Sequence, residues 1–277
     1  MENRYSLLVS DLDGTLLTSN QKISVRTRHA INQYQQNGGM FTIATGRSLA
    51  ESYHLLNELK IGLPVILCNG AVLYYPHDEE IQILKTLSKL FVEKILLDIK
   101  HIDQTIDLLL FSSTQIYSIR LSPQKAIELS KLGITPTPVH SFAEIKDEII
   151  KLQLIGSSNN IQTLHMISES YSSSQECDIF QSHAHYYEVV PKGISKGNAL
   201  QYLNQILHIP AERTAAIGDH CNDISMLQLA GLSASVENAH PLVKQCTTLH
   251  VPTNDQEGVS YFIENHLLFK GSLNYSL

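Results

Sequence analysis

Short apolar segments alternate with amphipathic helical segments near the start of this chain and again from Ser195, and this alternation limits its fold more than any other feature. Strands joined by helices pair in parallel, so the pattern predicts a doubly wound, Rossmann-like α/β core with helices on both faces of a parallel sheet. The predicted strands are residues 5–10, 40–44, 64–68, 214–218 and 232–236, and the predicted helices lie near 24–37, 48–60, 195–209 and 222–231.

The middle of the chain follows a different pattern. After about residue 84, strand-like runs follow one another with fewer helices between them, and "TIDLLLFSSTQIYSIRL" resembles a hairpin-type pair of strands. Runs of strands with few helices are typical of an α+β unit. We therefore predict one core made of residues 1–84 and 190–277, interrupted by an inserted α+β domain at residues 85–189.

Length, charge and cysteine content exclude several classes of protein. A chain of 277 residues is more typical of two domains than of one. The net charge of −7, with no basic block, argues against a nucleic-acid partner. The sequence has no apolar run long enough for a membrane span and no secretory signal pattern. Four widely spaced cysteines without a CxxC motif predict reduced thiols in the cytoplasm rather than disulfides or a zinc site.

The stretch "VSDLDGTLLT" places Asp11 and Asp13 directly after the first predicted strand. Open α/β sheets bind ligands at the carboxyl ends of their strands. Two carboxylates ~4 Å apart repel by about 4 kcal/mol at an effective dielectric constant of about 20, and a cation or a shared proton relieves this repulsion. The alternative is a solvated Asx turn, which explains this motif equally well when it is taken alone.

The stretch "IATGRS" also follows a predicted strand. The hydroxyl of Thr45 and the N–H of Gly46 can form a small anion site, because glycine lets a ligand approach the backbone closely. A plain strand-to-helix turn is the better explanation of this segment when it is taken alone.

In "PKGISKGNAL", Lys196 begins a predicted helix that Ser195 caps. A cation in the first turn opposes the helix dipole at a cost of ~0.3–1 kcal/mol, which an anion in front of the helix would offset. The alternative is an exposed lysine whose charge is screened by solvent. Lys192 precedes a glycine in a loop and is the weaker candidate.

The stretch "AIGDHCNDISML" supplies Asp219, Asn222 and Asp223 at the end of another predicted strand. Hard divalent cations prefer oxygen ligands of this kind. The alternative is an acidic cap for the helix that follows. Four such segments at four strand or helix ends favour one common site over four unrelated turns.

Taken together, these segments resemble the haloacid dehalogenase (HAD) superfamily of phosphohydrolases. The order "DLDGT", "TGR", "SKG" and "GDHCND" matches the motifs of that family, and "NGAV" and "TNDQEGV" extend the similarity over nearly the whole chain. The resemblance is closest to the Cof-type branch, type IIB, and it implies that the insert is a C2-type cap. The "SASVENA" segment departs from the Gly-Asn-Ala type segment that is frequent in the family.

The resemblance also implies a mechanism. Asp11 would be the nucleophile that forms an aspartyl-phosphate, and Asp13 would be the general acid and base. Mg²⁺ would be held by the Asp11 carboxylate, the Asp13 carbonyl and Asp219. The phosphoryl oxygens would be bound by the groups that share a donor function, namely the Leu12 N–H, Thr45, Gly46, Lys196 and Asn222. Asp223 would orient Lys196 or a metal-bound water.

The substrate stays open within the class of small phosphorylated metabolites, such as sugar phosphates or phosphorylated cofactors. Arg47, Asn69 and His220 are candidate substrate contacts, and each is equally compatible with a structural role. A phosphomutase of the same fold or a phosphate-binding regulatory relative are alternatives. Two other classes of protein with a phosphorylated aspartate are disfavoured. A receiver domain is under half the length of this chain. A transport ATPase carries threonine at the position of Asp13 and needs membrane helices.

Overall fold

The computed structural model describes residues 4–131, 133–157 and 159–268. The strands in chain order are β1 (Leu7–Ser10), β2 (Met40–Ile43), β3 (Val65–Leu67), β4 (Val72–Tyr75), β5 (Glu80–Ile83), β6 (Asp107–Phe111), β7 (Ile116–Arg120), β8 (Thr137–Pro138), β9 (Lys151–Ile155), β10 (Cys177–His183), β11 (Tyr186–Pro191), β12 (Thr214–Gly218), β13 (Leu232–Val236) and β14 (Leu249–Val251). The α-helices are α1 (Val25–Gln36), α2 (Leu49–Leu59), α3 (Lys89–Ile102), α4 (Pro123–Lys131), α5 (Ile161–Ser170), α6 (Lys196–Ile206), α7 (Ile224–Leu229), α8 (Pro241–Gln245) and α9 (Gly258–Phe262).

A parallel sheet forms the predicted doubly wound core. Within the described residues its strand order is β14-β13-β12-β1-β2, and every pair in it is parallel. Helix α1 packs against α9, and α6 packs against α7. From β1 the chain continues to β2 on one side, whereas β12 to β14 are added on the other side. The strand order therefore reverses between β1 and β12, which is where open α/β sheets bind ligands.

Local chemistry explains the first strand and helix. All four residues of β1, "LLVS", are buried, as expected for a central parallel strand. Helix α1 begins after Ser24, whose hydroxyl oxygen accepts a hydrogen bond from the N–H of Thr27 at 3.0 Å. It ends before Gly38, which has a φ of 81°. The helix predicted near 24–37 is confirmed.

A second, mixed sheet forms the middle of the chain. Its order is β10-β11-β9-β6-β7-β8, with antiparallel neighbours from β10 to β7 and a parallel pair at β7 and β8. Leu110, Leu152 and Val189 on one face of this sheet belong to a hydrophobic core that also takes in Val92 and Ile95 of α3. The hairpin and the α+β character that the sequence predicts are confirmed.

The strand predicted at 64–68 forms, but it does not extend the parallel sheet. Strand β3 belongs to a three-stranded sheet of order β3-β4-β5, in which β4 and β5 are antiparallel. The residues after β3 explain this pairing. Cys68, Asn69 and Gly70 have φ values of 49°, 56° and 101°, so the chain turns sharply through left-handed conformations. The turn brings β4 beside β3.

The described residues group into two compact units. Those within 1–45, 59–65 and 196–277 form one unit, and those within 46–58 and 66–195 form the other. The predicted insert, 85–189, falls inside the second unit, which also takes in 46–58 and 66–84. The domain boundaries near 84 and 190 therefore stay a prediction. In the part of the chain that the structure describes, no helix combines the length and apolarity of a membrane span.

Candidate active site

Two of the predicted acidic residues meet where the order of the parallel sheet reverses. Asp11 follows β1 directly, and Asp219 follows β12 directly. The two strands are neighbours, with Ser10 opposite Ile217, and the N–H of Asp11 donates to the Ile217 carbonyl at 3.0 Å. Carboxylate oxygens of Asp11, Asp219 and Asp223 all lie within 4.8 Å of one another.

The chain turns after Asp11 through Leu12–Leu16 and packs against Asp219. Gly14 has a φ of 76°, and a Cβ atom at this position would lie 2.5 Å from Oδ2 of Asp219. The Thr15 hydroxyl donates to Asp219 Oδ1 at 2.8 Å, and the Asn238 amide donates to the Gly14 carbonyl at 2.8 Å. Glycine is required at this position both for its backbone conformation and for its size. Asp13 is half-buried in the same turn.

Lys196 is the fully buried cation of this cluster. Its exposed fraction is 0%, so the alternative of a solvent-screened lysine is wrong. The ammonium donates to Asp11 Oδ1 at 2.5 Å and to Asp223 Oδ1 at 2.6 Å. Asp223 Oδ2 accepts the backbone N–H groups of Asp219 and His220 at 2.9 and 3.0 Å. Both oxygens of Asp223 are therefore engaged by the protein.

Burial and crowding change the acidity of these groups. Burial raises the pKa of the Asp11 carboxyl well above its usual range, although the Lys196 charge opposes this. Burial, together with the Asp223 charge, raises the pKa of Asp219 to about 6. Burial lowers the pKa of the Lys196 ammonium, but the charges of Asp11 and Asp223 outweigh it and raise that pKa above its ordinary value. The lysine therefore stays charged, while Asp11 and Asp219 lose their protons less readily than exposed carboxyl groups.

The donor set fits a hard divalent cation. Three carboxylates face a single ammonium, so the ionised cluster carries excess negative charge. Because Asp223 uses both oxygens for protein donors, Asp11 and Asp219 are the carboxylates best suited to bind an ion. Mg²⁺ commonly takes one or two protein carboxylates and fills its other positions with water and phosphate. The backbone ligand at Asp13 stays a prediction.

Other predicted residues lie at the same edge of the parallel sheet. Thr45 follows β2 and is 1% exposed, and the N–H of Ala44 next to it donates to the Ser10 carbonyl at 3.0 Å. Leu12 is buried directly after Asp11. Asn222 lies in a short turn, Cys221–Asp223, that begins just after β12. The structure therefore gathers these residues at one edge, and their phosphate-binding roles stay predictions.

His220 directly precedes this short turn and contacts another residue of the first unit. Its ring centroid lies 6.1 Å from that of His240, and the two rings are inclined by 63°. The thiol of the neighbouring Cys221 lies 3.6 Å from Nδ1 of His240. The substrate contact predicted for His220 stays a prediction.

The remaining predicted residues belong to the second unit. The Gly46 carbonyl accepts a hydrogen bond from Lys151 at 3.0 Å, and the Asn69 amide donates to Glu188 at 2.8 Å. The Arg47 carbonyl accepts the N–H of Cys68 at 2.9 Å. Asn69 is 2% exposed, and the carboxylate that its amide binds is also buried. The substrate contacts predicted for Arg47 and Asn69 stay predictions.

Sequence reasoning missed several residues that support these segments. Thr15 and Asn238 hold the turn after Asp11, and Lys151 and Glu188 contact Gly46 and Asn69. One signal was present for the last pair, because "IIKLQLI" and "YYEVV" each place a single charge inside an apolar strand. A buried charge needs a partner.

Comparison with known proteins agrees with this geometry. Residues 8–263 match the family described as haloacid dehalogenase-like hydrolase. A 5-amino-6-(5-phospho-D-ribitylamino)uracil phosphatase from Bacillus subtilis is 26% identical over 272 residues, which span 96% of this chain and 99% of that protein. Phosphatase YwpJ from the same organism is 29% identical over 286 residues, which span 95% of this chain and 99% of that protein. The chain belongs to the haloacid dehalogenase-like hydrolase family.

Solved structures support the same fold. A haloacid dehalogenase-like hydrolase from Bacteroides thetaiotaomicron matches with a TM-score of 0.84 and 26% identity, covering 94% of this chain and 98% of that one. A structure described as a HAD subclass IIB sugar phosphatase matches with a TM-score of 0.78 and 23% identity, covering 94% of this chain and 98% of that one. This second match shows a shared fold. The mixed sheet fits an inserted cap domain of this fold.

Proposed function

We propose that this phosphatase hydrolyses small phosphate monoesters with the help of Mg²⁺ and through an aspartyl-phosphate intermediate. The observation that carries the proposal is the buried cluster in which Lys196 joins Asp11 and Asp223 while Asp219 faces Asp11. Such a cluster, at the point where the strand order reverses, combines a nucleophile, a fixed positive charge and a set of metal ligands.

The first chemical step uses Asp11 and Asp13. An oxygen of Asp11 bonds to phosphorus, the bond from phosphorus to the leaving alkoxide breaks, and protonated Asp13 gives its proton to that alkoxide. In the second step, water attacks phosphorus and gives a proton to Asp13. The bond between phosphorus and Asp11 then breaks, and inorganic phosphate leaves. Lys196 holds Asp11 in place for both steps.

The transferring phosphoryl group gains negative charge at its oxygens, and fixed positive groups lower the energy of that state. Lys196 provides such a charge where water is excluded. The Leu12 and Gly46 N–H groups, the Thr45 hydroxyl and the Asn222 amide are the proposed neutral donors. Asp11, Asp219 and the Asp13 carbonyl would hold Mg²⁺, which would supply further positive charge to the reaction.

The substrate belongs to the class of small phosphorylated metabolites. A relative with 26% identity is named for its action on 5-amino-6-(5-phospho-D-ribitylamino)uracil, so this compound and a set of sugar phosphates are the first to test. We place the enzyme in the cytoplasm, which the four free cysteines support.

The test is release of inorganic phosphate from a generic aryl phosphate and from these candidates, with Mg²⁺ and with excess chelator. We expect turnover that requires Mg²⁺ and that disappears in Asp11→Asn. The matched control is Asp255→Asn, which removes an exposed carboxylate bonded to Ser19 and should keep full activity. Phosphate release in excess chelator, or by the Asp11 variant, would contradict the proposal. An isomeric phosphate ester in place of free phosphate would identify a mutase instead.

A further inference from the structure

A second buried lysine lies outside the acidic cluster. Lys151 begins β9 and is only 2% exposed. Its ammonium donates to the Gly46 carbonyl at 3.0 Å, lies 3.8 Å from Glu188 Oε2, and lies 4.2 Å from the centre of the Phe111 ring. The proposed reaction uses neither Lys151 nor Glu188, so the burial of both charges needs another explanation.

These charges lie on the face of the mixed sheet that points away from its hydrophobic core. Side chains alternate between the two faces of a strand. Leu152 and Leu154 of β9 belong to the core with α3 and α5, so Lys151 projects from the opposite face. Phe111 is the residue opposite Lys151 on β6, which explains the contact with its ring. The ammonium is therefore not part of the packing that holds the sheet to its helices.

Each of the two charges holds one loop segment. Lys151 binds the Gly46 carbonyl, and Glu188 accepts the Asn69 amide N–H at 2.8 Å. The two segments also touch each other, since a Cβ at Gly46 would lie 3.1 Å from Oδ1 of Asn69. Because the peptide bond is planar, fixing the Gly46 carbonyl also fixes the direction of the Arg47 N–H. A single buried ion pair thus sets the position of both segments.

We propose that Lys151 and Glu188 are positioning residues that fix the Gly46–Arg47 segment and Asn69 for phosphoryl transfer. The proposal rests on the proposed function, which assigns phosphate binding to Thr45 and Gly46. A displacement of about 1 Å at a group that binds the reacting phosphate is enough to lower a rate by about 100-fold. The pair therefore acts on the reaction without touching the substrate.

The experiment separates positioning from simple structural support by removing the charges one at a time and together. Lys151→Met and Glu188→Gln each leave one buried charge without its partner, and each should lower Tm by roughly 10 °C. The double variant leaves no unpaired charge, so its Tm should return most of the way to wild type. It still lacks the donor to the Gly46 carbonyl.

For the double variant we expect kcat/KM on an aryl phosphate to stay ~10–100-fold below wild type, mainly through kcat. The inhibition constant of inorganic phosphate should rise ~10-fold, and amide hydrogen exchange of the peptide 46–48 should accelerate. The matched control is Leu152→Ala, on the same strand but in the helix-facing core, which should lower Tm and leave kcat/KM and phosphate inhibition within twofold.

A double variant with wild-type kcat/KM would overturn the proposal, whatever its Tm. So would a double variant that is no slower than Leu152→Ala at an equal loss of Tm. The proposed function fails separately, through a wild-type protein that releases no phosphate from any ester. In that case the hydrogen exchange of residues 46–48 still decides whether the pair fixes the loop.

Discussion

Replacing Asp219 by asparagine should make the metal-free protein more stable, although it removes a residue of the candidate active site. The Asp219 carboxylate lies in a crowded acidic cluster, with oxygens within 4.8 Å of Asp11 and Asp223 oxygens. The Thr15 hydroxyl donates to Oδ1 of Asp219 at 2.8 Å, and an asparagine Oδ1 can accept that hydrogen bond equally well. The substitution therefore removes the repulsion and keeps the contact.

The raised pKa of Asp219 sets the size and the pH dependence of this effect. Burial, followed by the Asp223 charge, raises the pKa from 3.8 to about 6. The folded state therefore binds the proton more tightly than the unfolded state. The stability this gives is complete below pH 3.8 and is lost as the pH rises through about 6. At pH 7.5 the loss amounts to about 3 kcal/mol. The asparagine side chain does not ionise, so the variant does not lose this free energy. Its Tm should therefore be roughly 6–10 °C higher than that of wild type.

The matched control is Asp223→Asn, four residues along in the same cluster. Asp223 accepts Lys196 through one oxygen and two backbone N–H groups through the other. An asparagine amide cannot accept on both sides, and it leaves the buried lysine with a weaker partner. We expect this variant to lose about 2–5 kcal/mol. The two substitutions therefore have opposite signs at nearly the same place.

The assay is thermal unfolding in excess chelator from pH 4 to pH 8, repeated with Mg²⁺. The gain of Asp219→Asn over wild type should be close to zero at pH 4, rise toward pH 6 and stay constant above about pH 6.5. Mg²⁺ should stabilise wild type above pH 6 and have little effect on the variant. A variant that is less stable than wild type at pH 7.5 without metal, or a gain that is independent of pH, would refute the reasoning.

Other substitutions test the remaining parts of the site. Asp11→Asn should lose more than 10³-fold in kcat and keep a cooperative unfolding transition, which kinetics and calorimetry check together. Lys196→Met leaves two buried carboxylates without their cation, so the variant should lose about 3–5 kcal/mol of unfolding free energy as well as activity. An unchanged denaturation midpoint would show that Lys196 contributes little to stability. Gly14→Ala forces a side chain to within 2.5 Å of Asp219 at a positive φ, so it should abolish Mg²⁺-dependent stabilisation in the thermal assay.

The sequence predicted the core of this fold because the relevant signals are local. The apolar runs of β1, β2 and β12 and the helix near 24–37 depend on residues within a few positions of one another, and all of them form as expected. The sequence also predicts the strand at 64–68, but it does not predict that this strand lies beside β4 in a separate sheet. Its sheet is decided by three successive left-handed residues, Cys68 to Gly70, two of which are not glycine. Sequence patterns rarely indicate such conformations.

The supporting contacts of the site were not predictable for a different reason. Lys151 and Gly46 are 105 positions apart, and Asn238 and Gly14 are 224 positions apart. No periodicity connects such pairs, and only the folded chain brings them together. The burial of Lys196 has the same origin, since its partner Asp11 lies 185 positions away. The dipole of its own helix favours an anion in front of Lys196 but does not identify Asp11 as that anion.

The motif "GDHCND" shows how two interpretations of one acidic cluster can each hold for a different residue. Asp223 lies three and four residues after His220 and Asp219, at the spacing where a side chain can accept their backbone N–H groups, and it does so. The capping interpretation therefore holds for Asp223, which at the same time binds Lys196. Asp219 directly follows β12, accepts the Thr15 hydroxyl and keeps a raised pKa. Lys196 binds Asp11 and Asp223 and offsets the Asp219 charge only in part, which is a condition under which binding a cation gains free energy.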